Sequence, residues 1–264
     1  MITRKSAFEL NRMRKAGEIT AQILSQVASV ITPGMTTKEL DVLAETAAKE
    51  FQVKPAFKGY QGFPASICTS VNEQVVHGIP GPRQLKAGDI VGLDFGVVYK
   101  GYYGDAAVTV GVGEVAPKHR RLMTVTREAL WQGLNQARAG NRLSAISRAI
   151  QDHVEKNGFS VVRDFVGHGI GQAMHEEPQV PNYVSPHYHY DPILKQGMTL
   201  AVEPMVNSGA FQVKVDPTDR WTVTTLDGSY SAHFEHTVLV TAGDPEILTK
   251  VKEDQGDNGG MVRW

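Results

Sequence analysis

Two stretches of this chain repeat each other, and each places an acidic residue inside an apolar strand at the same distance from a glycine. Leu85-Lys86-Ala87-Gly88-Asp89-Ile90-Val91-Gly92-Leu93-Asp94 aligns with Leu194-Lys195-Gln196-Gly197-Met198-Thr199-Leu200-Ala201-Val202-Glu203. A second pair follows, Asp105-Ala106-Ala107-Val108-Thr109-Val110 against Glu235-His236-Thr237-Val238-Leu239-Val240. Carboxylates are seldom buried without a partner. Four of them inside valine-rich strands require a counter-charge, and a cluster of metal ions is the economical source.

The segments ahead of these strands repeat as well. Ser6 and Glu9 have capping-box spacing, and Met13, Ala16, Ile19, Ile23, Val27 and Val30 follow at helical intervals until Pro33-Gly34. Thr36 and Glu39 open a second helix with Leu40, Leu43, Ala44, Ala47 and Phe51 on its apolar face. A hairpin from Ile90 to Val110 comes next, with Lys100-Gly101 at its tip. The second half runs through a helix near Arg120 to Ala137, a break at Ala139-Gly140, and a helix carrying Leu143, Ile146, Ile150 and Val154 that Gly158 caps, then strands. Helix, glycine break, helix, strands thus occurs twice, with Gly34 and Gly140 equivalent. This predicts one pseudo-symmetric α+β domain over 1–250 whose halves bring their carboxylates together at the centre. The polar, glycine-rich residues 251–264 are expected to form a flexible tail.

With 264 residues and 41% apolar content the chain can fill a core of that size. A formal charge of −1 gives no reason to expect nucleic acid or an anionic membrane as partner. No apolar stretch reaches spanning length, the N-terminus lacks a signal core, and the single Cys68 cannot close an internal disulfide. A cytoplasmic protein is expected.

If Lys100-Gly101 is a two-residue turn, Tyr99 faces Tyr102 and Asp105 faces Gly96, which leaves Asp94 two residues along on the same face. Both aspartates then reach one site. Such alternation also fits a solvated hairpin with surface aspartates, and the repeat is what argues against that. His168, in Val166-Gly167-His168-Gly169-Ile170-Gly171, is a candidate ligand because flanking glycines let bound groups approach the ring. Val76-His77-Gly78-Ile79-Pro80 echoes it. A satisfied core or surface histidine is the ordinary alternative for either.

Val75-Val76-His77-Gly78-Ile79-Pro80, Gly167-His168-Gly169-Ile170-Gly171, His175-Glu176-Glu177-Pro178, Glu203-Pro204-Met205 and Phe234-Glu235-His236-Thr237 occur in this order. In these motifs the chain resembles the methionine aminopeptidases of the short bacterial type I form, whose fold is called the pita bread, from about Ser6 to Lys250. The resemblance implies an antiparallel sheet flanked by helices and an enzyme that removes the initiator methionine when the second residue is small. It implies Asp94, Asp105, His168, Glu203 and Glu235 as ligands, with Asp105 and Glu235 bridging two divalent ions. A hard, oxygen-rich set of this kind suits Co, Mn or Fe(II) and accepts Zn.

By the same resemblance Glu203 shuttles the proton, His175 donates to the developing oxyanion, and His77 contacts the scissile amide nitrogen. Ala201-Val202 and Pro204 predict a largely apolar wall around the Glu203 carboxylate. Phe57, Tyr60, Phe63, Cys68, Met174, Met205 and Trp221 are implied as the methionine pocket, with core packing as the alternative for Cys68 and Met205. Met174 stands where the family most often has phenylalanine, Phe63 where tyrosine is frequent and Phe57 where cysteine is. Asn72, Gln74 and Ser231 match the family's monovalent-cation site, and a capped loop without an ion fits them equally well. His119, His153, His187, His189, His233 and His236 are expected at the surface or behind the site.

The implied partners are peptide and nascent-chain N-termini, with transient ribosome contact, no sequence-specific nucleic acid, no membrane, and a monomeric state. The rival enzyme on this fold is an Xaa-Pro aminopeptidase or prolidase, whose large extra N-terminal domain 264 residues leave no room for. The rival outside catalysis is a metal-free binding relative, which lost ligands would mark; none is lost. One cysteine excludes a Cys/His zinc extension, and only short loops stand where a type II enzyme carries a helical insertion.

Overall fold

The computed structural model describes residues 2–185 and 190–250. The expected tail over 251–264 and the loop histidines His187 and His189 lie outside the described residues. No helix among the described residues is long and apolar enough to cross a membrane.

Helices α1 (Ala7–Ser29) and α2 (Thr37–Glu50) open with the two expected capping boxes, Ser6 with Glu9 and Thr36 with Glu39. Their buried stripes are narrower than the pattern suggested. Leu43 lies outside the Leu40, Ala44, Ala47 and Ala48 face, and Val30 follows the last helical residue; they are 38% and 46% exposed. Helix α3 (Pro117–Leu134) begins ahead of Arg120 without a side-chain cap, because proline in the first turn supplies a preset backbone angle and lacks an N–H to satisfy. Helix α4 (Ser144–Lys156) ends at Asn157, and Gly158 then takes a φ of +79°.

Nine strands form the main sheet: β1 (Lys54–Pro55), β2 (Cys68–Val71), β3 (Ile90–Tyr99), β4 (Tyr102–Gly111), β5 (Gly167–Gly169), β6 (Glu176–Val180), β7 (Thr199–Val202), β8 (Glu235–Leu239) and β9 (Glu246–Ile247). Their order is β1-β3-β4-β8-β7-β5-β6, with β2 also on β3 and β9 also on β8. Lys100 and Gly101 have φ values of +48° and +82°, the two-residue turn that matches the twist of the flanking strands. The register is the expected one, Tyr99 opposite Tyr102 and Gly96 opposite Asp105.

The duplication is visible in the backbone. Gly34 N–H donates to the Leu85 carbonyl and Leu85 N–H to Met35; in the second half Gly140 donates to Leu194 and Leu194 to Asn141. Gly88 donates to Val112 as Gly197 does to Val240. Both Gly34 and Gly140 need positive φ, +95° and +98°. Two homologous halves therefore meet where β4 pairs with β8.

Strand periodicity divides the sheet into two faces. Leu93, Phe95, Val97, Ala106, Val108, Leu200, Val202 and Val238 belong to one buried core that also takes in the apolar stripes of all four helices. Asp94, Gly96, Asp105, Ala107, Ala201, Glu235 and Thr237 have the opposite parity and face away from it.

At the seam between halves, β4 and β8 pair only through Ala106–His236 and Ala107–Glu235. Threonine hydroxyls take over on either side. Thr237 Oγ1 donates to the Asp105 carbonyl (2.8 Å) and accepts from the Asp105 N–H (3.1 Å). Thr109 Oγ1 does the same for His233, at 2.8 and 2.9 Å. Each hydroxyl satisfies a buried donor and acceptor that strand divergence would otherwise orphan. Thr237→Val keeps the shape and removes the hydroxyl, so it should lower unfolding free energy by about 2–4 kcal/mol, whereas Thr237→Ser should stay near wild type. Urea unfolding of the two variants checks this; a valine variant as stable as wild type would show that the seam does not depend on the bond.

Candidate metal centre and substrate pocket

The ladders bring the expected ligands to one face. Asp94 on β3 sits opposite Ala107 on β4, which sits opposite Glu235 on β8. Thr237 sits opposite Ala201 on β7, which sits opposite His168 on β5. Asp105 is two residues from Ala107, and Glu203 follows the end of β7 two residues from Ala201. The small residues between the acids leave the space they occupy. Gly96 belongs to this set, since a Cβ there would lie 3.1 Å from Asp105 Oδ1.

Among the described residues, Asp105, His168 and Glu235 offer ligand atoms that all lie within 4.8 Å of one another. Glu203 Oε1 adjoins this trio at 3.6 Å from His168 Nε2, and Asp94 lines the same cavity. Asp94 Oδ1, Asp105 Oδ1 and Glu235 Oε1 are buried without a hydrogen-bond partner. Burial and mutual repulsion push Asp94, Glu203 and Glu235 well above the usual carboxylate range, and burial brings Asp105 to about 7. Unpartnered carboxylate oxygens converging in one cavity are the donor set a divalent cation takes.

His168 fits that set. Its Nδ1 lies 2.9 Å from the Gly169 carbonyl, which requires the proton on Nδ1 and leaves the Nε2 lone pair toward the acids. Burial lowers its pKa to about 3, so the ring is neutral. The flanking glycines have a different reason from the expected one: Cβ atoms at Gly167 and Gly169 would run into the carbonyls of Ala201 and Glu177 on the adjoining backbone. The His77 echo is likewise no structural equivalence. His168 lies in β5, whereas His77 has a left-handed φ of +59°, followed by Gly78 packed tightly against the Thr69 carbonyl of β2.

Glu203 is not enclosed by an apolar wall. His233 Nε2 stands 3.7 Å from its second oxygen, so the carboxylate lies between two neutral imidazoles. Burial lowers His233 to about 3 and His77 to about 4. His233 and His236 are buried behind the site, His236 with Nδ1 against the Thr249 hydroxyl and its ring against Trp131. His119 stacks on Tyr230, and His153 meets Glu128.

This cluster of carboxylates and imidazole lines one end of a cavity of about 170 Å³. One wall is Met174, packed with Phe57 and Tyr60; the other is Phe63, Cys68, Phe57 and Trp221. Phe63 and Trp221 meet edge to face at 5.1 Å, and Asp219 Oδ1 holds the Trp221 backbone by accepting its main-chain N–H. Met205 does not join them. Its strand, Met205–Asn207, pairs with Ser231–His233, which puts the side chain in a separate core with Val75, Val76, Val162 and Val223. Gln61 lines the cavity and escaped the sequence reading; only its left-handed φ of +48° distinguishes it, and sequence shows no such signal. His77 and His175 line the rim, and the Tyr60 hydroxyl lies 2.7 Å from His175 Nδ1.

Asn72 and Gln74 are placed as loop caps. Asn72 Oδ1 accepts from Ile90 N–H and Gln74 Oε1 from Val71 N–H, while the Asn72 carbonyl accepts from Ser231 N–H. Their side-chain oxygens are committed to the backbone.

Cation binding favours the ionised carboxylates, and in the metal-free protein Asp105 is largely protonated below pH 7. Adding Mn²⁺ to the chelator-treated protein at pH 6 should therefore release at least about one proton per chain, and the release should shrink as pH rises above 8. Calorimetry in buffers of different ionisation enthalpy reads this directly, and buffer-independent heats would contradict the protonated cluster.

The description Metallopeptidase family M24 matches residues 11–242. Methionine aminopeptidase 1 of Bacillus subtilis (strain 168) is 51% identical over 251 residues, 95% of this chain and 100% of that protein. The methionine aminopeptidase of Aquifex aeolicus is 41% identical over 250 residues, covering 92% of this chain and 96% of its own. The crystal structure of methionine aminopeptidase from Thermotoga maritima is similar with a TM-score of 0.91 at 49% identity, covering 95% of this chain and 100% of that one. A prolidase from Pyrococcus horikoshii shares the fold, with a TM-score of 0.76 at 22% identity, and 95% of this chain covers 64% of it.

Proposed function

Because this chain belongs to metallopeptidase family M24, we propose that its carboxylate–imidazole cluster hydrolyses the first peptide bond of chains beginning with methionine. The observation that carries this reading is the junction of that cluster with a pocket walled by Phe57, Phe63, Cys68, Met174 and Trp221, in a chain 51% identical to a methionine aminopeptidase over 95% of its length. Asp94, Asp105, His168, Glu203 and Glu235 would hold two divalent ions, of Mn, Fe(II), Co or Zn, with Asp105 and Glu235 shared. When bound, such ions lower the pKa of a water molecule and polarise a carbonyl.

The remaining steps belong to side chains. Phe57, Phe63, Cys68, Met174 and Trp221 take the methionine side chain, where shape and sulfur–aromatic contact of roughly 0.3–1.5 kcal/mol favour a thioether. Glu203 accepts the proton of the attacking water and delivers it to the leaving nitrogen as the C–N bond breaks. With the Tyr60 O–H donating to Nδ1, His175 keeps its proton on Nε2 and donates a hydrogen bond from it to the carbonyl oxygen as charge develops. His77, neutral by burial, faces the amide nitrogen of the scissile bond. A narrow space beside His77 restricts the second residue to small side chains. Any monovalent cation near Asn72, Gln74 and Ser231 would depend on backbone carbonyls. The substrates are peptide and nascent-chain N-termini, met in the cytoplasm by a monomer in transient contact with the ribosome.

Chelator-treated protein should be inactive and regain cleavage of Met-Ala-Ser when Mn²⁺, Fe²⁺, Co²⁺ or Zn²⁺ is restored, with Met-Lys-Ser and Xaa-Pro peptides resistant. Undiminished activity after chelation, or preference for the Xaa-Pro peptide, would sink the reading. His175→Ala should lower kcat by at least about tenfold and change KM less, because its bond strengthens only as the oxyanion forms. A normal kcat with a greatly raised KM would reassign His175 to substrate binding.

A further inference from the structure

Residues Thr3 to Lys5 form an arm against the turn that carries Met174 and His175, and no step of peptide hydrolysis uses it. Lys5 Nζ lies 2.7 Å from Glu176 Oε2, with the two side chains 5% and 16% exposed. The Thr3 hydroxyl donates to the same oxygen (2.9 Å) and accepts from Lys5 Nζ (2.7 Å). Glu176 Oε1 accepts the backbone N–H groups of Gln172 (2.8 Å) and Ala173 (3.2 Å). One carboxylate thus ties the arm to the turn. Packing is as close as bonding: a Cβ on Gly171 would lie 2.5 Å from Glu176 Oε1 and 2.6 Å from Lys5 Cε.

The arm is itself anchored, since Lys5 N–H donates to the Gly197 carbonyl at 2.7 Å. Burial opposes ionisation of Glu176, yet bonds from Lys5 and Ala173 outweigh it and hold the carboxyl below its usual pKa. His175, by contrast, is exposed at the pocket rim, and among the described residues Tyr60 is its one hydrogen-bond partner. Its placement depends on the backbone of the turn, and the turn's two N–H groups depend on Glu176.

We propose that Lys5, acting through Glu176, is a positioning residue for His175: the buried ion pair between the N-terminal arm and the 171–176 turn holds the oxyanion donor in its working place. This rests on the aminopeptidase reading. Removing the ammonium leaves a buried carboxylate without a cation, which then seeks water or a proton and loosens its hold on Gln172 and Ala173.

The test compares full-length wild type, Lys5→Met, Lys5→Met/Glu176→Gln and Arg4→Ala, each metal-loaded, on Met-Ala-Ser. Lys5→Met should lose at least about tenfold in kcat with KM within about threefold, and amide exchange at Gln172 and Ala173 should rise by at least about tenfold. Calorimetric Mn²⁺ affinity should stay within about threefold of wild type, because the ligands are untouched. The double variant, which removes the stranded charge, should recover at least about threefold in kcat over Lys5→Met. Arg4→Ala loses only an exposed bond to the Gln196 carbonyl and should match wild type.

Wild-type kcat in Lys5→Met, unchanged exchange at the two amides, or a kcat loss that merely tracks the unfolded fraction would each overturn the proposal. Cleavage by wild type in the same assay tests the aminopeptidase reading separately, and the exchange measurement tests the arm without reference to activity.

Discussion

Four carboxylates gathered at one sheet face, with neutral imidazoles beside them, impose the condition that the rest of this structure meets. Moving one carboxylate out of water carries an effective penalty of several kcal/mol even after relaxation, and total stability of a domain is only about 5–15 kcal/mol. Four such groups cannot all ionise here without a counter-charge. Asp94 Oδ1, Asp105 Oδ1 and Glu235 Oε1 lack hydrogen-bond partners, so the protein's own donors do not supply it. The fold accommodates this on the face away from the helices, where Gly96, Ala107 and Ala201 keep the face open. Metal binding and folding are thereby linked, because the cation relieves a repulsion that the backbone has already built in.

The duplicated halves explain how a single sheet can gather these groups. Each half contributes acids at corresponding strand positions, and joining β4 to β8 sets them side by side. The join is short, two residue pairs with a threonine hydroxyl bridging beyond each end. That arrangement lets the strands diverge and open a cavity without leaving Asp105 or His233 backbone groups orphaned. Symmetry ends where chemistry begins. His168 comes from a three-residue strand of the second half, and His77 from a left-handed residue of the first.

Local signals read well from sequence, and distant ones did not. The capping boxes at Ser6 and Thr36, the Lys100-Gly101 turn, and the register that pairs Gly96 with Asp105 all depend on neighbours within a few residues. The five ligand-type residues were legible because the repeat and the ordered motifs mark them. Strand β5 has too few residues to show a period, and α3 has no side-chain cap to announce its start. Met205 looks like a pocket residue until its strand pairing turns it into another core. The imidazole of His233 beside Glu203, the Tyr60 bond to His175, and the Lys5–Glu176 pair join residues that only tertiary structure brings together.

Rigidity and adaptability are distributed on this scaffold by the kind of contact each side chain makes. Asp94, Asp105 and Glu235 stand on ladders fixed across β3, β4 and β8, so their separation is set by strand spacing and cannot drift with the substrate. The pocket walls are two small clusters outside the main core, and Phe57 belongs to both. A change on one wall is therefore felt on the other through that ring. Met174 and His175 are adjacent on one turn and experience opposite constraints: the imidazole must meet a charge at a fixed point, whereas a thioether with three rotatable bonds can follow the ligand beside it. Bonds to Glu176 at Gln172 and Ala173 hold the backbone for both, which allows the flexible residue to adapt without displacing its neighbour.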